Sequence, residues 1–248
     1  MRVRFSLRQF SEVFTIRNPD GIPYVLIGGQ AVNYWAERYL AAEPELQKLL
    51  PFTSEDIDFQ GNRDDVQHIA KQLKLVPVYP HKVQMTSLAG AIPFHIGDLK
   101  SNIEVVRIIP GVATGSVEVL AIEAEWNGKQ IRVLDPISLL YCKLELALTV
   151  SQEKRQDVEH LKILVFCVRG FLRELLQEVE RGGIPAKGWL GAANKMLKLT
   201  GLSHGRKAAK KFQINWSDIL PLKEIADCRN EKIVQFREKQ LSRWSSMN

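Results

Sequence analysis

The apolar positions of the chain change period several times, and each change marks an element. Four consecutive residues, Tyr24 to Ile27, form a run stopped by Gly28-Gly29. Such a run, bounded by turn residues, reads as a buried strand. Ala31, Tyr34, Trp35 and Arg38 then fall on helical spacing, with the apolar members toward a sheet. Upstream, Ser6 to about Phe14 reads as a short helix ended by Asn-Pro-Asp-Gly. Downstream, a connection punctuated by Pro44 and Pro51 leads to TSEDIDF, where Ile57 and Phe59 alternate with Asp56 and Asp58 as on a strand.

Asp64 to Leu73 carries Val66, Ile69, Ala70 and Leu73 on one helical stripe. The following stretch, rich in Pro, Gly and β-branched residues, predicts short strands and turns, and SNIEVVRIIPGV predicts a further strand. Two more strands are expected at Val117–Ile122 and Gln130–Val133, with Asn127-Gly128 as a hairpin turn between them. Residues 1–134 therefore read as a mixed α/β core. From Asp135 the pattern is helical. Asp135-Pro136 supplies a cap and a first-position proline, and ISLLYCKLELALTV is apolar nearly all round, the mark of a buried helix. A second long helix from about Asp157 carries Val158, Leu161, Leu164, Val165, Val168, Leu172, Leu175 and Val179 on one stripe, ending at Gly182-Gly183. The basic cluster GRKAAKK at 205–211 and a final amphipathic helix near 218–244 complete a helical region over 135–248.

Composition narrows the class. Of 248 residues, 45% are hydrophobic and 25% charged, as in an ordinary soluble globular chain. No apolar run approaches the roughly 20 residues that span a bilayer. The stretch MRVRFSLRQFSEVF lacks the apolar core of a signal segment, so a cytoplasmic location with no membrane partner is expected. Cys142, Cys167 and Cys228 are odd in number and form no C-x-x-C, which reads as buried reduced thiols. Charge is uneven: residues 151–248 hold 19 Lys+Arg against 11 Asp+Glu, the first 150 only 15 against 17. A basic second half fits a polyanionic partner or a lysine-rich helical surface.

The candidate chemistry lies in the first half. Asp56 and Asp58 project from one face of their strand. Two adjacent carboxylates repel, and a hard divalent cation relieves that repulsion; Mg²⁺ is commonly held by one or two carboxylates plus substrate phosphates. Gly28-Gly29 lets backbone approach a ligand closely, and the helix behind it offers unpaired N–H groups to an anion. Together these would hold a nucleoside triphosphate.

The Gly-Gly turn, its helix and the TSEDIDF run resemble the polymerase-β-type nucleotidyltransferase superfamily, and within it the abortive-infection (AbiEii-type) nucleotidyltransferase toxins. The interval from Gly29 to Asp56 exceeds the family's compact spacing, as an insertion around AAEPELQKLLP that loops outward would explain. The resemblance implies an α/β nucleotidyltransferase core and a third carboxylate on a neighbouring strand. Glu104, mid-strand in NIEVV, is the choice, with Asp98 the competitor. It extends to Pro136, Leu139 or Leu140, Lys143 and Asp157, with Lys154 and Arg155 nearby, and the family's second aspartate falls at His160. In that family the lysine contacts phosphate and the aspartate supports catalysis. Asp157 reads equally as an ordinary acid in a helix's first turn.

The activity implied is transfer of a nucleotidyl group from NTP to a hydroxyl acceptor. Asp56, Asp58 and Glu104 would hold Mg²⁺ or Mn²⁺, while Gly28, Gly29, Ser54 and Lys143 bind the triphosphate. Ser54 and Thr53 each read either as a phosphate contact or as a residue that shapes the turn. RNA, such as a tRNA end, is the acceptor expected through the basic half, and a toxin role with an antitoxin partner follows from the resemblance. Rival readings are a nucleotide- or partner-binding module without turnover, and transfer to a small molecule or protein. The histidines show no paired ligand spacing and are assigned no chemistry.

Overall fold

The run Tyr24–Ile27 forms strand β1 (Val25–Ile27), and the chain enters helix α1 (Gly28–Tyr39) directly at the two glycines. The computed structural model that shows this describes residues 3–81, 83, 85–113, 115–241 and 244. Five further strands complete one mixed sheet: β2 (Ile57–Gln60), β3 (Leu88–Ile96), β4 (Leu99–Val106), β5 (Ala121–Trp126) and β6 (Lys129–Leu134). Their order is β3-β4-β2-β1-β6-β5. The central strand β1 runs antiparallel to β2 and parallel to β6, and β2 runs parallel to β4. The two outer pairs are antiparallel hairpins.

Helix α2 (Arg63–Leu73) is started by Asn62, whose side chain accepts from the amides of Asp64 at 2.7 Å and Asp65 at 3.3 Å. Past the sheet the chain is helical, as expected. Helix α4 (Pro136–Thr149) is capped by Asp135, whose Oδ1 accepts from Ile137 and Ser138 amides at 3.0 Å, whereas α3 (Val117–Leu120) is a single turn set before β5. Then follow α5 (Asp157–Glu180), α6 (Ala186–Gly201), α7 (Ser203–Phe212), α8 (Leu222–Asp227) and α9 (Glu231–Phe236). Helix α1 lies between sheet and helices: Ala31 and Trp35 are buried, and the Trp35 indole donates to the Leu134 carbonyl at 2.8 Å. All three cysteines are free and buried.

The structure corrects four local expectations. The N-terminal helix is a 3₁₀ helix over Leu7–Thr15. Residues 117–120 are helical instead of strand, because β6 ends at Leu134 opposite Ala121 and nothing is left for them to pair with. The stretch before β4 holds one long strand, β3, instead of several short ones. The expected helix over 218–244 is broken at Pro221 and again at Asn230, whose side chain caps α9 from Lys232 N at 3.1 Å.

The segment after α1 does not simply loop outward. Its turn at Pro44–Leu49 buries Leu46, and Glu43 is fully buried between two arginines of α5. Glu43 Oε1 accepts from Arg173 Nη1 at 2.6 Å and Oε2 from Arg169 Nε at 2.7 Å; the arginines also reach Glu224 and Glu45. Removing one partner of a buried ion cluster leaves charge uncompensated, which costs roughly 3–5 kcal/mol. Glu43→Ala is therefore expected to lower the urea midpoint severely. Glu45→Ala, at a half-exposed position, should cost under about 1 kcal/mol. Equal effects would show that burial of Glu43 does not set the strength of this cluster.

Candidate active site

Strand register builds the site. Asp58 on β2 stands opposite Ile27 on one side and Glu104 of β4 on the other. The row Ile27–Asp58–Glu104 thus sets the start of α1 beside two carboxylates. Asp56, two residues before Asp58, faces the same way, while Ile57 and Phe59 turn into the core. One carboxylate oxygen from each of Asp56, Asp58 and Glu104 lies within 4.8 Å of the others, so these residues could hold a metal ion. Three hard oxygen ligands converge there, a donor set that suits a hard divalent cation. Asp98, the competitor for third carboxylate, sits exposed in the β3–β4 hairpin turn, away from this group.

The glycines are required by contact. Gly28 has φ +68°, and a Cβ there would overlap the Asp58 carboxylate. A Cβ on Gly29 would overlap the Ser54 hydroxyl. The two glycines, Ser54 and the three carboxylates line one cleft of about 300 Å³.

The opposite wall comes from α4 and α5. Leu139, Cys142, Lys143 and Leu146 recur at helical spacing along α4, and Asp157 and His160 lie on the first turn of α5. Lys143, only 6% exposed, donates to Asp157 Oδ1 at 2.8 Å, and Arg155 Nε donates to Asp157 Oδ2 at 2.5 Å. Lys143 is neither solvated nor free: one aspartate holds both cations across from the carboxylate group.

The electrostatics differ on the two walls. Burial, then the charges of Asp56 and Glu104, push the Asp58 carboxyl well above the carboxylate range, against Lys143 and the Gly29 amide. Burial also raises Asp56, with Lys143 opposing and Glu55 reinforcing. Glu104 is pushed up to about 7 by burial and by Asp56. These three side chains keep one side open to the cleft; the surrounding protein desolvates the rest. Burial alone would raise Asp157 too, but Lys143 and Arg155 outweigh it and hold its carboxyl at about 2. One wall lacks positive charge and the other concentrates it.

Of the residues named from the sequence for this chemistry, Gly28, Gly29, Ser54, Asp56, Asp58, Glu104, Lys143 and Asp157 line the cleft, and Thr53 and Asp98 do not. The sequence reading undervalued Arg155 and gave His160 no role, although both line it. Their signal was present: Asp157 and His160 are one helical turn apart and share a face.

No protein-family model matches the sequence, and no curated protein is significantly similar to it. Among solved structures, the chain is similar to an antigenic nucleotidyltransferase-like protein from Paracoccidioides brasiliensis, at 12% identity and a TM-score of 0.37 over 64% of this chain and 71% of that one. It is also similar to JHP933 from Helicobacter pylori, at 13% identity and a TM-score of 0.36 over 97% and 94% of the two chains. At these values the likeness establishes neither a family nor an activity for this chain.

Proposed function

We propose that the protein transfers a nucleotidyl group from an NTP to a hydroxyl acceptor. One observation carries this reading: three carboxylates converge beside a glycine-started helix N-terminus, with Lys143 and Arg155 facing them across one cleft. Asp56, Asp58 and Glu104 would hold the divalent ion, Mg²⁺ or Mn²⁺. When bound, it supplies charge neutralisation at the triphosphate and lowers the pKa of the acceptor hydroxyl. The Gly28 and Gly29 amides and the N-terminal dipole of α1 hold the β- and γ-phosphates. The acceptor hydroxyl passes its proton to Glu104, its oxygen bonds to the α-phosphorus as the bond to the β-phosphate oxygen breaks, and pyrophosphate leaves with the electron pair. Lys143 and Arg155 offset the charge that gathers on that leaving group. Asp157 holds the two cations at the site when no triphosphate is there.

The acceptor we propose is RNA. Exposed Arg206, Lys207, Lys210 and Lys211 lie on α7, which packs against α4, the helix that carries Lys143. His204 at the start of α7 approaches Glu145 of α4 at 3.9 Å, so the basic helix begins beside α4. A toxin role with an antitoxin partner is supported by the family resemblance alone.

The test is transfer of label from each of four α-³²P NTPs, with Mg²⁺, to total RNA and total protein. Label on RNA is expected, with RNA binding that falls steeply as salt is added. Label on protein alone would replace the acceptor class. Tight Mg²⁺-dependent NTP binding without label on any acceptor would favour a binding module over an enzyme.

A further inference from the structure

His160 is 3% exposed, yet it lines the cleft, and neither ring nitrogen has a hydrogen-bond partner among the described residues. The Thr53 backbone carbonyl lies near the ring and favours its protonated form, but neither nitrogen meets it in hydrogen-bond geometry. Leaving a buried polar group unpaired costs the fold its full desolvation penalty. Such a group in a native fold calls for a partner that arrives later.

The ring's surroundings identify that partner. A Cβ on Gly29 would lie 2.9 Å from His160 Cε1 and would overlap the Ser54 hydroxyl. Cε1 is the carbon between the two ring nitrogens. The unpaired nitrogens therefore flank the point where Ser54 and the N-terminus of the twelve-residue helix α1 meet. Ser54 is itself fixed, its backbone paired with Phe5 through hydrogen bonds of 2.8 and 2.9 Å. Burial and the charge of Lys143 hold the imidazole neutral, with a pKa of about 3. A neutral ring offers one N–H and one lone pair.

Resting on the nucleotidyltransferase reading, we infer that His160 is a positioning residue for the triphosphate: when phosphate binds at the start of α1, the His160 N–H turns to Ser54 Oγ, a bond the fold does not make without it, and the Ser54 O–H is thereby aimed at the phosphate. A hydroxyl that receives a hydrogen bond becomes a better donor. A carboxylate at position 160 would do the reverse, taking the Ser54 proton and turning lone pairs toward phosphate. Histidine here gives the phosphate site one more neutral donor without adding charge beside Lys143.

The test is calorimetric titration of the full chain with Mg²⁺–tripolyphosphate and with Mg²⁺–NTP. The proteins are wild type, Ser54→Ala, His160→Phe and the double variant. Each single variant is expected to weaken binding roughly tenfold, and the double variant no more than either single one, because both remove the same donor. Asparagine and glutamine place an amide N–H at the two alternative ring positions. One of His160→Asn and His160→Gln should therefore bind like wild type and the other like Ser54→Ala, even if phenylalanine disturbs the core. Wild-type binding with His160→Phe unaffected, multiplicative losses in the double variant, or equal affinity of the Asn and Gln proteins would each overturn this inference alone. Wild type that binds neither tripolyphosphate nor NTP would remove the nucleotidyltransferase reading and this inference with it.

Discussion

Asp58→Asn is expected to abolish label transfer, by a factor on the order of 10³ or more, while making the metal-free protein more stable. The two effects share one cause. Asp58 sits between Asp56 and Glu104, and burial together with those neighbours disfavours its charge. Asparagine keeps the shape beside Gly28 and removes the charge, which relieves like-charge repulsion of about 1–2 kcal/mol. For a chain of this size that corresponds to roughly 2–8 °C in Tm. The same change deletes one of the three ligands that would hold the divalent ion. Asp98→Asn, in the exposed hairpin turn, should alter neither quantity. A loss of activity accompanied by a lower metal-free Tm would mean that Asp58 is a structural carboxylate, satisfied without metal. Retained transfer would remove it from the chemistry.

The legibility of the fold followed the range of the interactions involved. Strand β1, the glycine turn, α1 and the Asp56–Asp58 pair were readable because alternation and turn chemistry act within a few residues. The Asp135-Pro136 start of α4 was readable for the same reason. The choice between Glu104 and Asp98 was not. It depends on the parallel register of β2 and β4, which sets Glu104 opposite Asp58 and leaves Asp98 in a turn. Val117–Leu120 has the β-branched content of a strand, yet β6 has no residues left to pair with it. Glu43 looked like part of an outward loop because its partners, Arg169 and Arg173, lie 126 and 130 positions away. Pro221 and Asn230 were visible breakers that a long apolar periodicity obscured. His160 stands at ligand spacing from no other histidine. Its neighbours in the cleft are a glycine and a serine from other elements.

Mg²⁺ is expected to stabilise the protein strongly at pH 8 and hardly at all at pH 5. Burial and the charge of Asp56 push Glu104 up to about 7 in the metal-free fold, against an ordinary value of 4.5. The folded state therefore binds more protons than the unfolded chain between those values. The stability that a protonated Glu104 contributes is fully present below about pH 4.5 and is lost as pH rises through about 7. Asp56 and Asp58, shifted in the same direction, add to this loss. Two other groups act with the opposite sign. His160, held at about 3, favours the fold above the ordinary histidine value of 6.5, and this contribution is lost as pH falls through 3. Asp157, held at about 2, contributes above 3.8 and loses it as pH falls through 2. Because these opposing terms are present with and without metal, the informative quantity is the difference in Tm on adding Mg²⁺. Metal ligands must be deprotonated, so at pH 5 the ion competes with protons on the three carboxylates, and at pH 8 it meets them ionised. With Mg²⁺ at about 100 times its Kd, the gain is roughly 2.7 kcal/mol, or about 5–10 °C. Differential scanning fluorimetry from pH 5 to 8, with and without Mg²⁺, measures this directly. Asp58→Asn should flatten the difference at every pH. A Mg²⁺ effect independent of pH, or one that survives in Asp58→Asn, would place the ion somewhere other than among Asp56, Asp58 and Glu104.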